Sequence, residues 1–385
     1  MVSRQKLGIR DWGSGIRDGL GIGPESSPSV SLRALRGEKR RRAFTLVELL
    51  VVITIIGVLA GLIVAVAPGV IRAAHRMTIT TEIGQLTMAM ERYKQEHGEY
   101  PPDFCGVNDA NAIVRTAARQ TVLNHLRRAF PRYRIPAGTI DNRWDYFRLQ
   151  VKQCTSGDPS LTNAGDAIGM EVNAMTPDMA LVFWLGGMPA PAGSSTRLVT
   201  FSANPANPFA VGGSRKEAFF EFDEARLARN AIAGNNNHFT GYRYRPPHVQ
   251  DPDGGEDAPP YVYFRAKSDR YDPLPPTDIF VQFFTWQGTF CVPYGRDSVP
   301  PASAGDPNEI TQWFNPKTCQ IICSGLDGMY AEFDSATSTP GALPSRPIRY
   351  LQTNGQAGSG NLTSEEEDNL TNFARGTLAD WHEGE

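Results

Sequence analysis

The sequence predicts an α+β protein: a long N-terminal helix, membrane-spanning in its first half and amphipathic in its second, laid across a mostly antiparallel sheet with large insertions. Three observations carry that prediction. An apolar run extends from Phe44 to about Ala67, with Glu48 as its only ionisable residue. Next, Ile79, Ile83, Leu86, Met90 and Tyr93 follow one another at steps of four, three, four and three, the period of a single helix face. Beyond them, short runs rich in β-branched and aromatic residues alternate with connections rich in proline and glycine.

Residues 1–43 read as a basic leader. They carry ten Lys/Arg against four Asp/Glu, a formal charge of +6, so the remainder of the chain carries −9 to give the overall −3. Gly8-Ile9-Arg10-Asp11 is echoed by Gly15-Ile16-Arg17-Asp18, a short repeat with neither helix nor strand period. The expectation for residues 1–30 is a disordered leader or a stretch upstream of the true translation start.

The apolar run of residues 44–67, two dozen residues at a rise of about 1.5 Å each, gives roughly 36 Å of helix. That is enough to cross a hydrocarbon core of about 30 Å with some tilt. The arginines at 40–42 before it predict a cytoplasmic N-terminus and an exported C-terminal bulk. Glu48 is expensive in such a segment. It either lies near the helix end and reaches the headgroups, or it has a partner.

Residues 68–98 continue the helix as its amphipathic half. Pro68-Gly69 is expected to kink or loosen it, because proline removes an i−4 hydrogen bond. Glu82, Gln85, Arg92 and Lys94 are assigned to the faces away from the apolar stripe, and Gly98 with Pro101-Pro102 ends the helix. Residues 99–385 form the exported globular α+β domain. Within it, Ile113, Ala117, Leu123, Leu126 and Phe130 predict a helix over 110–130, and Thr176-Pro177 predicts a capped helix through Leu185, stopped by Gly186-Gly187. Strands are expected at 198–201, 218–222, 261–265, 279–286 and 319–323.

Five cysteines fall in this domain, an odd number, so at least one thiol is unpaired or bridges to another chain. Cys319 and Cys323 lie about 13 Å apart along a strand, too far to bridge each other. The six histidines are dispersed without metal-ligand spacing, and no nucleophile elbow, phosphate loop or dinucleotide fingerprint occurs. No enzyme is expected. An acidic exported domain gives no reason to expect nucleic acid as a partner either; Tyr242-Arg243-Tyr244-Arg245 reads better as a strand with one solvated face than as a phosphate-binding platform.

Arg40-Arg41-Arg42-Ala43-Phe44-Thr45-Leu46-Val47-Glu48-Leu49-Leu50 resembles the signal of type IV prepilins and type II secretion pseudopilins. The resemblance implies a pilin-like fold and cleavage between Ala43 and Phe44 by a prepilin peptidase in the bacterial inner membrane, with methylation of the new Phe44 amine. It further implies that Glu48 pairs with the N-terminus of a neighbouring subunit during assembly into a filament. The family prefers Gly before the cut, where this chain has Ala43. The implied localisation is a single-pass inner-membrane protein in contact with its lipid, with the C-terminal domain periplasmic until assembly.

At the other end, Gln320–Gly328 and the later Asp368-Asn369-Leu370-Thr371-Asn372-Phe373 resemble the calcium loop of the major pseudopilin. The resemblance implies Asp327 and Asp368 as calcium ligands, although the spacer between them is far longer than in the family. On the residues alone, Asp327 equally well shapes a turn and Glu365 to Asp368 equally well forms a solvated acidic run. The expected function is a structural subunit of a type II secretion pseudopilus or a type IV pilus. The rivals are a minor or tip subunit or adhesin, and a membrane-tethered binding domain that uses the helix only as an anchor.

Overall fold

The computed structural model describes residues 45–249, 258–267, 271, 283–297, 312–331, 349–350 and 366–379. The chain forms two compact units, residues 1–62 and 63–385. In the first unit the described residues are the opening turns of helix α1 (Leu46–His97, 52 residues). Their large apolar side chains are exposed, Leu46, Val47, Ile53 and Ile56 by more than half.

In the second unit α1 carries the stripe that the sequence predicts. Ile79, Ile83, Leu86, Met90 and Tyr93 are all at most 1% exposed, and Ala89 and His97 join them. The helix continues through Pro68. It ends at Gly98, whose φ of +83° turns its amide back to the Lys94 carbonyl at 2.7 Å. A left-handed residue there satisfies a carbonyl of the last turn, which glycine does at least cost. Val64, Val66, Val70, Ile71, Met77 and Met88 remain exposed on the same helix.

Helix α2 (Ala112–Ala129) starts on the Asn111 side chain, and helix α3 (Ile140–Ser156) starts on that of Thr139. Of the apolar positions expected on α2, Leu123, Leu126 and Phe130 are buried, while Ile113 is 55% exposed and Val114, Ala118 and Val122 are buried on the preceding turns. Helix α3 has no counterpart in the expectations, although Trp144, Phe147 and Val151 mark its buried face at steps of three and four. Helix α4 (Pro177–Leu185) begins after Thr176 with proline in its first turn, and every one of its nine residues is buried. It is the hub of the core, where Phe183 meets Phe104, Trp184 and Phe201 edge to face.

The strands form several small sheets rather than one large one, most of their pairings antiparallel. The sheet that matters for the site has Cys319–Cys323 at its centre. Val262–Arg265 pairs antiparallel with one side of it and Leu370–Thr371 with the other, Ile322 facing both Val262 and Thr371. The expected strand at 218–222 does not form, because the Phe219 and Phe220 amides both turn to the Leu185 carbonyl that ends α4. The expected strand at 279–286 is seen as Phe284–Trp286, its first residues lying outside the described ones. All five cysteines are free thiols; four are buried and Cys105 is half-buried.

Candidate functional site

Three places could carry function: the start of α1, its junction with the domain, and the C-terminal turn. At the start of α1 the Thr45 amide donates to Glu48 Oε2 at 2.9 Å, and the Glu48 amide donates to Thr45 Oγ1 at 3.2 Å. The Thr45 hydroxyl also donates to Glu48 Oε2 at 2.9 Å. This is a reciprocal capping box, which the spacing Thr-x-x-Glu allows whenever a threonine precedes the first helical turn. Glu48 thus faces the open N-terminal end of the helix, where amide protons and the helix dipole favour a carboxylate. Ala43 and Phe44 lie outside the described residues. The apolar window of α1 that is long enough to cross a membrane has none of its residues buried.

At the junction, Glu82 turns inward. Tyr261 donates its hydroxyl to Oε2 at 2.7 Å and Tyr244 donates to Oε1 at 2.9 Å. The Arg226 guanidinium meets both oxygens, reaching Oε2 at 3.0 Å through Nη1. With 12% of its side chain exposed, Glu82 is an anchor between α1 and the domain, not the solvent-facing residue expected from the sequence. One turn from the helix end a second junction forms. Tyr93 Oη lies 2.8 Å from His125 Nε2, and His125 Nδ1 lies 2.9 Å from Glu99 Oε1. Arg128 and Arg265 reach the other Glu99 oxygen at 2.5 and 3.0 Å. Burial pushes the Glu99 carboxyl up, but His125 and the two arginines outweigh it and hold it at about 2. Burial holds His125 below the usual histidine range. Every member of this chain serves the docking of α1, and the fully buried imidazole offers a substrate no approach.

The C-terminal turn brings together the two elements singled out in the sequence. Asp368 sits in the crook of the turn Gly325–Gly328: its Oδ2 accepts from the Leu326 amide at 2.6 Å. Its Oδ1 lies 2.5 Å from Nη2 of Arg76 on α1. Asp327 accepts from the Met329 amide through Oδ1 at 2.9 Å. Calcium takes six to eight oxygens. Among the described residues no three His, Cys, Asp or Glu side chains are grouped so as to hold an ion. The carboxylate that would lead the set already faces a guanidinium, so the described residues do not fit a calcium cage; Glu365 lies outside them, as does the side chain of Glu367.

Arg243 and Tyr244 are committed inward, Arg243 to Asp178 at 2.7 Å and Tyr244 to Glu82. Sequence reasoning missed Arg76 and the Glu82 anchor. For Glu82 a signal existed: it lies between Ile79 and Leu86 and next to Ile83, at the edge of the apolar stripe.

Residues 39–64 match the prokaryotic N-terminal methylation motif. The chain is 39% identical over 97 residues to type II secretion system core protein G of Escherichia coli (strain K12), covering 24% of this chain and 67% of that protein. It is 40% identical over 63 residues to the core protein G of Klebsiella pneumoniae and 42% identical over 62 residues to that of Pectobacterium carotovorum subsp. carotovorum, in each case over 16% of this chain. The chain spans 45% and 40% of the length of those two relatives. No solved structure matches the chain. The prepilin-type motif at 39–64, the long helix that begins within it and the shared N-terminal sequence place this chain in the type IV pilin and type II secretion pseudopilin superfamily, to which it belongs.

Proposed function

We propose that the chain is a pseudopilin structural subunit, not an enzyme: it is cleaved after Ala43 by a prepilin peptidase, held in the bacterial inner membrane by residues 44–67 and built into a filament with other subunits through α1. The supporting observation is the start of α1, an apolar helix with no residue of its spanning window buried, led by the Thr45–Glu48 capping box. Exposed leucines, valines and isoleucines need lipid or other helices around them. In this reading Glu48 first holds the Thr45 amide and then the amine of a neighbouring Phe44.

Two measurements test the proposal. Intact mass of membrane-extracted protein is expected to show a mature chain beginning at methylated Phe44. Glu48→Ala is expected to leave insertion and folding unchanged but to block incorporation into filaments. Removing one partner of a buried pair costs about 3–5 kcal/mol, far more than a subunit exchange near equilibrium tolerates. Normal incorporation of Glu48→Ala would sink the pairing. A second reading, a minor or tip subunit of a pseudopilus or type IV pilus, is favoured by the bulk of the domain: α2, α3 and α4 all fall in the sequence between α1 and the strand Cys319–Cys323. Stoichiometry in purified filaments separates the two, many copies for a shaft subunit and one or a few for a tip.

A further inference from the structure

We propose that in this protein the Arg76 guanidinium takes the place of a calcium ion, closing the C-terminal turn onto α1 with a fixed positive charge. The geometry is that of a cation-closed turn with an internal cation. The carboxylate of Asp368 is clasped between two positive ends: the Leu326 amide at 2.6 Å on Oδ2 and Arg76 Nη2 at 2.5 Å on Oδ1. Charge-assisted contacts of this length are the strong class of hydrogen bond. Gly325 allows the clasp. Its φ is +73°, and a Cβ there would lie 2.5 Å from the Asp368 carbonyl oxygen and 2.6 Å from Oδ2.

Three consequences of the placement favour arginine over an ion. First, Asp368 is 17% exposed on its side chain, so its charge needs a partner close by, and one is supplied from within the chain. Second, Asp327, the other acidic residue of the turn, has its Oδ1 engaged by the Met329 amide. Third, Arg76 lies on α1 itself, next to His75, whose ring stacks on that of His248 at 3.9 Å. The turn is therefore tied to the helix and not merely to another loop. Leu370–Thr371, which follows Asp368, completes the sheet on Cys319–Cys323. Arg76 thus joins the last described strand of the domain to the helix that would pack in a filament, and the joint is independent of extracellular calcium.

The test is hydrogen exchange at the Leu326 amide in the full chain in detergent micelles, with calcium or with chelator. In the unaltered protein protection is expected to be the same under both conditions. In Arg76→Ala it is expected to fall roughly tenfold or more, the loss of one charge-assisted bond, with the helical circular dichroism unchanged; Asp368→Asn should fall likewise. Calcium restoring protection to Arg76→Ala would support the substitution directly, since the vacated carboxylate would then accept an ion. Two results would overturn it: calcium raising protection in the unaltered protein, or Arg76→Ala leaving Leu326 as protected as before. Arg76→Lys, which keeps the charge but not the planar fork, is expected to lie between the two and guards against a variant that misfolds.

Discussion

Replacing Glu82 by alanine should be among the most damaging single changes in the second unit. The carboxylate accepts from two tyrosine hydroxyls and faces the Arg226 guanidinium with both oxygens. Each hydrogen bond to a charged group contributes about 1.5–3 kcal/mol net, but contacts to one carboxylate do not add. The loss is better bounded by the cost of leaving a buried charge without its partner, about 3–5 kcal/mol. Arg226 is 21% exposed on its side chain, so water relieves part of that cost and the value should sit near 3 kcal/mol. Urea unfolding of the full chain in detergent, followed by the fluorescence of buried Trp144 and Trp184, reads this directly. The slope with denaturant should stay constant while the midpoint falls. Glu82→Leu combined with Arg226→Met should recover more than half of the loss, because no charge is then stranded. A loss below about 1 kcal/mol for Glu82→Ala would refute the anchor and return Glu82 to the solvent-facing role its sequence position suggests.

Gly187→Ala should destabilise the domain by about 3 kcal/mol or more, seen as a lower melting midpoint. Gly187 has φ of +104°, and a Cβ there would stand 2.2 Å from the Val199 carbonyl oxygen. The domain should also lose stability with mild acid. Burial holds His97 at about 4, outweighing the pull of Glu96, so the folded state binds its proton less readily than the unfolded chain does. That contribution is fully present above about pH 6.5 and is lost as the pH falls toward 4, on the order of 2 kcal/mol after allowing for solvent. His125 acts in the same sense, so His97→Gln should reduce the slope of stability against pH in this window without abolishing it; an unchanged slope would remove His97 from the explanation. Below about pH 4.5 Glu99 adds a further loss. Its carboxyl is held at about 2, so its stabilisation is present above the unfolded value and disappears as the pH approaches 2. Glu99→Gln should flatten melting curves between those two values and leave those near neutrality lower but parallel.

The parts of the fold written in local pattern were legible. The α1 stripe, the Thr176-Pro177 start of α4 and the Cys319–Cys323 strand follow from periodicity and capping within a few residues. What failed depended on distant residues. Phe219 and Phe220 have strand composition, but the open carbonyl of Leu185 captures their amides. Glu82 reads as a surface residue until Arg226, Tyr244 and Tyr261 are brought to it from more than 140 positions away. At the candidate site, the turn at Gly325–Gly328 and the Asp368–Phe373 segment meet because the first follows the strand Cys319–Cys323 and the second pairs with it. The resemblance was silent about Arg76, which is 292 positions from Asp368. Charge pairing across such a distance leaves no trace in spacing.

The free thiols set a time limit on folding. Cys291, Cys319 and Cys323 are buried, and burial raises the pH at which each would become the reactive thiolate, so each remains a thiol. Once folded they are chemically quiet. Before that they are not, and the strand holding Cys319 and Cys323 is complete only when Val262–Arg265 and Leu370–Thr371 have both closed on it. Pairings separated by so much chain form late. If the domain is exported into the oxidising compartment proposed for it, each new chain runs a race between sheet closure and random thiol oxidation. Yield should depend on reductant or on thiol–disulfide exchange catalysts during folding, while the finished subunit should be indifferent to both.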